Sequence, residues 1–373
     1  MVINLDYQPA VAQRAGIGRY TRLLAHYLPD YLACDDCLRL FYFDFTRHAE
    51  APDNKRAEAC PWRLTPGKII QKFWQKGLPP NYNWLAGKAD LYHFTNFIIP
   101  PISPKAKTVA TIFDMSFMRH PECAEAKNLA YMTSRIGNTV ERADAIITIS
   151  KFSADETVEY FPKAKGKVFP IYLGLDQNLV PPSTEQIALV RKKYSLERPY
   201  IISVGTLEPR KNYTFLVDAF ERMSEDVDLV IVGHSGWNYE PILEKFRNSS
   251  KAKKIHCLTG LGDNELAALY SGAELFALAS LYEGFGFPPL EAMQCGTPVV
   301  SSNGGSLAEV LGDAAEIVDE FNADRWAATL DRMLTDQDRR TECRNKGFER
   351  AKAYRWADTA RETYDVYLKT LGL

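Results

Sequence analysis

Residues 273–306, AELFALASLYEGFGFPPLEAMQCGTPVVSSNGGS, predict the fold of the second half of the chain. An apolar run of strand length, 273–279, is followed by a loop with two glycines. Two prolines then suit the first turn of a helix, expected over about 290–294, because their fixed φ matches and their missing N–H would be unpaired there. A second strand is expected over 297–301. Strand, glycine loop, helix and strand form the unit that places ligands at the carboxyl ends of a parallel sheet.

The loop and the helix of this stretch carry two carboxylates, Glu283 and Glu291. The free N–H groups of a loop and a helix start favour an anion, most simply a phosphate. A carboxylate beside such a site accepts hydrogen bonds from hydroxyl groups, which a nucleotide sugar offers on both its ribose and its sugar. The alternative is a buried loop whose acids cap the helix. The two acids, with Gly-Phe-Gly and Pro-Pro between them, favour a binding site.

The string from Glu283 to Glu291 resembles the E-x7-E motif of family-4 glycosyltransferases. These are retaining enzymes of the GT-B fold, an α/β architecture of two Rossmann-like, doubly wound parallel-sheet domains facing a deep cleft. In that family the first Glu and the loop amides after it hold the donor sugar, and the second Glu holds the ribose hydroxyls. The resemblance implies these roles for Glu283, for the loop residues Phe285, Gly286 and Phe287, and for Glu291.

Length and composition limit the class of protein. A chain of 373 residues predicts two domains, and 46% hydrophobic with 25% charged residues is typical of a globular protein. A net charge of −2 argues against a nucleic-acid binder, which would carry a basic surface. No apolar run approaches the roughly 20 residues that span a bilayer, and the first residues lack a signal-peptide pattern, so we expect a cytoplasmic protein. Seven scattered cysteines predict reduced thiols, and the lone pair Cys34 and Cys37 lacks further zinc ligands.

Strand-length apolar runs alternate with helical segments along both halves, which predicts two doubly wound parallel sheets. We expect an N-terminal Rossmann-like acceptor domain over 1–175 and a C-terminal Rossmann-like nucleotide-sugar domain over 176–355. The resemblance to GT-B enzymes implies that a last helix, within 356–373, crosses back to the first domain. Residues 46–66 are polar and contain three prolines, so we expect a loop there.

The string Gly205-Thr-Leu-Glu-Pro-Arg-Lys-Asn212 follows a predicted strand and precedes a predicted helix. Two adjacent cations at this junction, Arg210 and Lys211, suit the neutralisation of a diphosphate, and Arg offers a bidentate fork. A solvated pair at a turn is the alternative. The string also resembles the family's phosphate-binding loop, which implies that both cations bind the donor pyrophosphate and stabilise it as it leaves.

Further candidates in the second half follow other predicted strands. Gly233 and His234 resemble the family's loop near the nucleotide, although a loop histidine is more often structural or solvated. Leu258 ends the next strand and is expected near the base of the nucleotide. Residues 303–306 open another helix and are expected to support the same pocket.

Gly16 and Gly18 follow the first predicted strand and open a helix. A glycine loop there can cradle phosphate, but G-x-G alone is also a tight turn. The longer string Gly-Ile-Gly-Arg-Tyr resembles the family's amino-terminal loop, which faces the interdomain cleft. A Rossmann oxidoreductase is an alternative class, but it requires a third glycine where this chain has Thr21.

Asp114 ends a predicted strand in the first half and is our candidate for holding or deprotonating the acceptor hydroxyl, with a turn-forming role as the alternative. Family members often carry His before this Asp, and this chain has Phe113 there. His93 ends another strand and is a second candidate for the cleft. His120 and Ser153 match family strings, but the start of a helix explains each of them.

The chain lacks a nucleophile elbow, a Walker loop or a D-x-D in a convincing context. The resemblance therefore implies a metal-independent transferase without a cofactor, whose cations are Arg and Lys. Subfamily likeness favours GDP-mannose as the donor, as in bacterial mannosyltransferases of cell-surface polysaccharide synthesis, O-antigen included. A UDP-glucose or rhamnosyl donor remains open, and a noncatalytic nucleotide-sugar-binding protein is the alternative of another class.

The expected acceptor is a saccharide, linked to a lipid at the inner face of the membrane. Basic and aromatic residues near 14–31 or 67–76 would then give a peripheral membrane contact. For 67–76, a helix packed on the core with a solvated lysine stripe is the alternative.

Overall fold

The computed structural model describes residues 1–13, 16–49, 56–177 and 179–373. The predicted membrane contact near 14–31 therefore falls partly, at residues 14 and 15, outside the described residues. Thirteen strands in this part of the chain form two sheets. The first sheet contains β1 (Val2–Asp6), β2 (Cys37–Phe43), β3 (Ala57–Trp62), β4 (Leu91–Phe94), β5 (Lys107–Ile112), β6 (Ala145–Thr148) and β7 (Val168–Pro170). The second contains β8 (Tyr200–Val204), β9 (Asp228–Val232), β10 (Ile255–Leu258), β11 (Leu275–Leu278), β12 (Val299–Ser302) and β13 (Ala315–Val318).

Helices connect most of these strands, as parallel pairing requires. In the first half they are α1 (Gln8–Ala12), α2 (Ile17–Tyr27), α3 (Gly67–Gln75), α4 (Tyr82–Leu85), α5 (Ser116–Arg119), α6 (Ala126–Arg142) and α7 (Lys151–Tyr160). In the second half they are α8 (Thr184–Lys193), α9 (Tyr213–Arg222), α10 (Glu240–Asn248), α11 (Asp263–Ser271), α12 (Phe287–Gln294), α13 (Leu307–Leu311), α14 (Ala323–Thr335), α15 (Gln337–Lys352) and α16 (Trp356–Leu371). Short 3-10 turns include Pro121–Cys123 and Pro209–Lys211. None of the helices among the described residues is both long and apolar enough to cross a membrane.

Both sheets are entirely parallel and share one order of strands. The first runs β3-β2-β1-β4-β5-β6-β7 and the second β10-β9-β8-β11-β12-β13. In each sheet, the strand that comes first along the chain, β1 or β8, pairs with the fourth, β4 or β11. The direction in which strands are added therefore reverses at this pair. This is the order of a doubly wound nucleotide-binding sheet, in which ligands bind outside the carboxyl ends of the strands at that reversal.

The chain folds into two compact units that do not follow chain order strictly. The first contains Met1–Met115, Ala126–Gly174 and Arg355–Leu373, and the second contains Ser116–Glu125 and Leu175–Tyr354. Helix α16 therefore belongs to the first unit, where the Tyr367 hydroxyl group lies 2.6 Å from Nδ1 of His93. The short segment 116–125 belongs to the second unit, although it lies between strands β5 and β6 of the first sheet.

The predicted loop over 46–66 is wrong at residues 57–62, which form strand β3, while 50–55 lie outside the described residues. Strand β3 lies at the edge of its sheet and pairs only with β2, with Pro61 opposite Tyr42. Proline is tolerated on an edge strand because one side of its backbone needs no partner.

One helix boundary differs from the one expected, and another helix is preceded by a separate turn. Helix α12 begins at Phe287 instead of about 290, so Pro288 and Pro289 are in its first turn and Glu291 is its fifth residue. Helix α6 begins at Ala126, because residues 121–123 before it form a separate 3-10 turn.

Candidate functional site

The loops after β8 and β11 meet at the reversal of the second sheet. After β8, the chain forms the 3-10 turn Pro209–Lys211 before helix α9 begins. The Leu281 N–H, in the loop after β11, donates a hydrogen bond of 2.9 Å to the Arg210 carbonyl oxygen. The two loops are thereby joined at the position where sheets of this order bind ligands.

Charged side chains from these two loops form one cluster. The Lys211 Nζ lies 2.5 Å from Oε1 of Glu283, and an Arg210 guanidinium nitrogen lies 2.9 Å from its Oε2. A second Arg210 nitrogen lies 2.6 Å from Glu208, and the Ser280 hydroxyl donates to Glu283 over 2.6 Å. Sequence alone placed Arg210, Lys211 and Glu283 in one site, and the structure brings their side chains into direct contact.

The cluster is largely removed from water, which strengthens its electrostatics. The side chains of Lys211 and Glu283 are 9% and 8% exposed, and Arg210 is the most accessible member at 19%. Burial by itself would raise the pKa of Glu283. The positive charges of Lys211 and Arg210 and the hydrogen bonds to the carboxylate outweigh burial and lower this pKa to about 2. Glu283 is therefore an anion under all physiological conditions.

Glu208 is a member of the cluster that sequence reasoning missed. It is buried and holds the end of the Arg210 guanidinium that Glu283 does not contact. The only signal in the sequence is an acid two positions before the Arg, separated from it by a proline that starts the 3-10 turn. Such a spacing is common on surfaces, so it did not mark a buried contact.

The glycine turns of the second unit lie in adjacent positions along the carboxyl edge of the sheet. The Gly205 N–H, after β8, donates to the Val232 carbonyl over 2.9 Å. The Gly233 N–H, after β9, donates to the Leu258 carbonyl over 2.9 Å. Gly205, Gly233 and Leu258, three predicted contacts of the nucleotide, therefore occupy neighbouring strand ends. Their roles toward a ligand stay predictions.

His234 follows Gly233 and is exposed, with its Nε2 3.4 Å from the Thr206 hydroxyl. The His234 carbonyl accepts a hydrogen bond from the Leu207 N–H, so its backbone joins the loops after β8 and β9. The side chain makes no contact with the charged cluster in the structure.

Gly305 fixes the loop after β12 against Glu283. Its φ is +67°, and a Cβ there would come within 2.3 Å of the Glu283 carbonyl oxygen. Any other residue would therefore push the Glu283 loop away. Ser306 completes the contact, since its N–H and hydroxyl both donate to the same carbonyl oxygen, over 2.9 and 3.1 Å. The expected supporting role of residues 303–306 thus has a structural basis.

Helix α12 carries the second acid of the motif. Glu291 is buried, and the Tyr270 hydroxyl donates to its Oε2 over 3.2 Å. Gly286 precedes the helix with a left-handed φ of 98°. The Phe285 ring is buried against the rings of Phe287 and Tyr354, so only its backbone is suited to face a ligand.

In the first unit, the glycines after β1 have structural uses. Gly16 precedes α2, with a φ of 57°. Gly18 is buried in that helix, and a Cβ there would come within 2.0 Å of the Gln13 carbonyl oxygen. Helix α1, which was not expected from the sequence, thus explains Gly18 by close packing. A role for either glycine in binding a donor stays a prediction.

The end of strand β5 carries Phe113 and Asp114. The Phe113 ring packs edge-on against Tyr20, with centroids 5.0 Å apart, and also contacts Phe97. The ring at the position of the family's histidine is therefore part of an aromatic group. Asp114 is partly exposed, as a side chain that meets a substrate must be.

His93 is a core residue and does not line an open site. It is fully buried, Nδ1 lies 2.6 Å from the Tyr367 hydroxyl, and Nε2 lies 2.8 Å from the Thr111 hydroxyl. Burial lowers its pKa to about 3, so the imidazole is neutral. The expectation that His93 faces a cleft is wrong, because a polar residue at a strand end also satisfies a buried hydrogen-bond network.

The cluster of Arg210, Lys211, Glu208 and Glu283 offers cations that are already desolvated and oriented. Such groups suit the binding of a diphosphate and the stabilisation of charge that develops on it. Within the parts of the chain that the structure describes, no three His, Cys, Asp or Glu side chains come together as a metal site.

Comparison with known proteins gives the family. Residues 187–350 match the model of the glycosyl transferases group 1. The chain is 31% identical over 282 residues to the O-antigen chain mannosyltransferase B of Escherichia coli, covering 74% of each protein. It is 30% identical over 234 residues to the MMP alpha-(1->4)-mannosyltransferase of Mycolicibacterium hassiacum, covering 61% of this chain and 54% of that protein.

The solved structure of the sucrose-phosphate synthase from Thermosynechococcus elongatus superposes with a TM-score of 0.76 at 19% identity, over 100% of this chain and 99% of the other. The predicted fold class, GT-B with two parallel α/β sheets, is thereby confirmed. The match to the family model and the sequence match to the E. coli transferase over about three quarters of both chains give the assignment: the chain belongs to the group 1 glycosyltransferases.

Proposed function

We propose that this glycosyltransferase moves mannose from GDP-mannose to a saccharide acceptor with retention of the anomeric configuration, in the synthesis of a cell-surface polysaccharide. The observation that carries the proposal is the meeting of Arg210 and Lys211 with Glu283 at the reversal of the second sheet. Two relatives at 30% identity or more are named as mannosyltransferases, one of them for the O-antigen chain, which supports mannose and polysaccharide.

Arg210 and Lys211 bind the donor diphosphate in this proposal. The cluster holds two cations and two carboxylates, so it is close to neutral before the donor arrives. A diphosphate adds negative charge, and Arg210 is the cation best placed to turn toward it because it is the more exposed of the two. Negative charge increases on the diphosphate as the sugar leaves, so these contacts strengthen in the transition state and accelerate the reaction.

The two acids of the motif orient the donor. Glu283 remains an anion next to the diphosphate and accepts hydrogen bonds from hydroxyls of the transferred sugar. Glu291, buried beside Tyr270 on helix α12, accepts hydrogen bonds from the ribose. Backbone groups of Gly205, Gly233 and Leu258 and of residues 285–287 complete the nucleotide-sugar site.

The acceptor half of the proposal rests on the first unit. Asp114, partly exposed after strand β5, holds or deprotonates the acceptor hydroxyl, and the loop with Gly16 and Gly18 lies after strand β1. We propose that no metal takes part, since Arg210 and Lys211 supply the positive charge. Transfer should then proceed at an unchanged rate in excess EDTA, and loss of activity there would refute this part of the proposal.

A thermal-shift screen against GDP, UDP, dTDP, NAD and the matching nucleotide sugars tests the donor. A ligand that binds only the folded protein raises Tm by mass action. We expect shifts with GDP and GDP-mannose and none with NAD. A shift with UDP or dTDP alone would keep the transferase and replace the donor by UDP-glucose or a rhamnosyl nucleotide.

A noncatalytic nucleotide-sugar-binding protein would give the same shifts without turnover. Slow hydrolysis of GDP-mannose by the purified protein separates the two, because a transferase releases GDP when water replaces the acceptor. Absence of both hydrolysis and transfer, with intact binding, would favour the noncatalytic function.

A lipid-linked acceptor and a peripheral membrane contact belong to the same proposal. Helix α3 exposes Ile69 and Phe73, at 49% and 44%, beside the exposed Lys68, Lys72 and Lys76. Exposed apolar side chains next to cations suit an anionic membrane surface. We expect the full chain to sediment with vesicles containing phosphatidylglycerol. Replacing Ile69 and Phe73 by Ser should weaken this binding, whereas the same change at the exposed Leu189 of α8 serves as a control.

A further inference from the structure

Residues 116–125 bring a histidine to the donor side of the molecule. The segment is part of the second unit. The Trp237 indole N–H, in the loop after β9, donates a hydrogen bond of 2.6 Å to the Cys123 carbonyl oxygen. This bond fixes the end of the segment. Within it, the His120 N–H donates to the Ser116 carbonyl over 2.7 Å, and the Cys123 N–H donates to the His120 carbonyl over 3.0 Å. The position of His120 is therefore defined by backbone contacts on both sides.

The imidazole of His120 lies beside the residue that precedes Glu283. Its ring packs edge-on to the buried ring of Tyr282, with centroids 6.0 Å apart and planes at 67°. The Tyr282 carbonyl in turn accepts a hydrogen bond of 2.6 Å from the Arg210 guanidinium. His120 is thus separated from the charged cluster by a single residue.

Electrostatic effects on a neighbouring thiol agree with this placement. Burial raises the pKa of Cys123, the charge of Glu122 raises it further, and the charge of Arg210 lowers it. The charge of Arg210 therefore acts on the segment that carries His120.

One ring nitrogen of His120 is held and the other is available. Nδ1 lies 3.0 Å from a Glu122 carboxylate oxygen, so it carries the proton of that hydrogen bond. Among the residues that the structure describes, none hydrogen-bonds to Nε2. The side chain is 28% exposed, so a ligand can reach it. The Glu122 carboxylate fixes the orientation of the ring. Nε2 can donate to a phosphate oxygen only in the imidazolium form, in which both ring nitrogens carry a proton.

We propose that His120 is a further donor-binding residue, whose Nε2 hydrogen-bonds the diphosphate of the nucleotide sugar beside Arg210. This inference rests on the proposed function, because it needs a nucleoside diphosphate in the site. Glu122 acts through His120 as a positioning residue. The edge-on contact with Tyr282 sets the distance between the imidazole and the cluster.

The test compares His120→Phe with the wild-type chain by calorimetric titration of GDP and GMP. Phe keeps a ring against Tyr282 and loses both ring nitrogens, so packing is retained while the hydrogen bond is removed. We expect GDP to bind about tenfold more weakly, the loss of one hydrogen bond to a charged group, with the affinity for GMP nearly unchanged. His120→Gln, which keeps an N–H donor, should recover part of the loss. His48→Phe, at an exposed loop residue of the first unit, is the matched control.

Each result decides between named possibilities. An unchanged GDP affinity in His120→Phe, or an equal loss for GDP and GMP, would overturn the contact with the diphosphate. If the wild-type chain prefers UDP, the same comparison is made with UDP and UMP. If the wild-type chain binds no nucleoside diphosphate at all, the proposed function itself fails, and that outcome is visible before any variant is measured. The Tm of each variant shows whether folding is intact.

Discussion

Two acids at the carboxyl edges of the two sheets have pKa values shifted in opposite directions. Asp6 is the last residue of β1, and burial raises its pKa to about 7, with the Gln8 N–H donating to it over 3.2 Å. Within the described residues, no cation pairs with Asp6. Glu283 follows β11, and its pKa is about 2 because Lys211 and Arg210 outweigh the same effect of burial. The two sheets share a strand order and differ in charge at this edge.

This difference indicates which of the two sheet edges is suited to bind an anion. In the second unit, buried cations are held in place before any ligand binds. In the first unit, His93, Thr111 and Tyr20 near the strand ends form an uncharged network of hydrogen bonds. Uncharged hydrogen-bonding groups suit a saccharide, which offers hydroxyl groups and no charge. The contrast agrees with a donor site on the second unit and an acceptor site on the first.

The largest expected effect comes from removing a cation of the second unit. Lys211→Ala should lower kcat by roughly 10²- to 10³-fold, as loss of one preorganised contact to a developing charge does. KM for the donor should change much less, since the contact is strongest in the transition state. Steady-state kinetics with GDP-mannose checks this, with Lys192→Ala on the exposed face of α8 as the control. A normal rate in Lys211→Ala would remove Lys211 from the reaction.

A smaller effect, on the free energy of unfolding, is expected when the negative charge of Glu283 is removed. Glu283 has a folded-state pKa of about 2, below its ordinary value of 4.5, so its contribution is present above pH 4.5 and is lost as the pH falls toward 2. Glu283→Gln should therefore reduce the free energy of unfolding by about 3 kcal/mol at pH 7. Urea unfolding at pH 7 and pH 3 measures the difference. A deficit that does not shrink at the lower pH would contradict the linkage.

The smallest effect, of opposite sign, is expected at the first sheet. The folded-state pKa of Asp6, about 7, lies above its ordinary value of 3.8, so ionisation of Asp6 costs stability as the pH rises from about 4 to 7. Asp6→Asn should raise the free energy of unfolding at pH 8 by about 2 kcal/mol, an amount reduced by the partial exposure of the carboxyl. The gain should vanish near pH 4. A stabilisation independent of pH would show that the gain does not come from ionisation of Asp6, and the absence of a gain at pH 8 would show that Asp6 ionises without cost or beside a cation.

The two strands expected on either side of the motif, 273–279 and 297–301, agree with β11 and β12 to within two residues. Strands β9 and β11, DLVIV and LFAL, are almost wholly apolar, a pattern that belongs to a sheet buried on both faces. Strand β3 was missed because an edge strand buries less, so its sequence, AEACPW, contains an acid and a proline. Pattern reasoning detects burial and therefore finds central strands better than edge strands.

The sequence predicted Arg210, Lys211 and Glu283 in one site, but not their contacts with one another. Lys211 and Glu283 are separated by 72 positions, and only the order of the strands brings their loops together. Sequence reasoning also gave the acid to the sugar and the cations to the diphosphate, whereas the structure shows them paired with one another. The contacts of Glu208 and the state of Asp6 could not be predicted, since the state of a carboxyl group depends on its neighbours in space.

Segment 116–125 sets a limit on building hybrid enzymes from this chain. It lies between two strands of the first sheet, yet it supplies the ring beside Tyr282 and the carbonyl that holds Trp237 in the second unit. A hybrid that took residues 1–174 from a relative with another acceptor would also replace these contacts of the second unit. Hybrids that keep 116–125 together with 175–354 should retain the parental donor preference. An exchange of whole units therefore needs junctions at 115/116, 125/126 and 354/355 in addition to the one at 174/175.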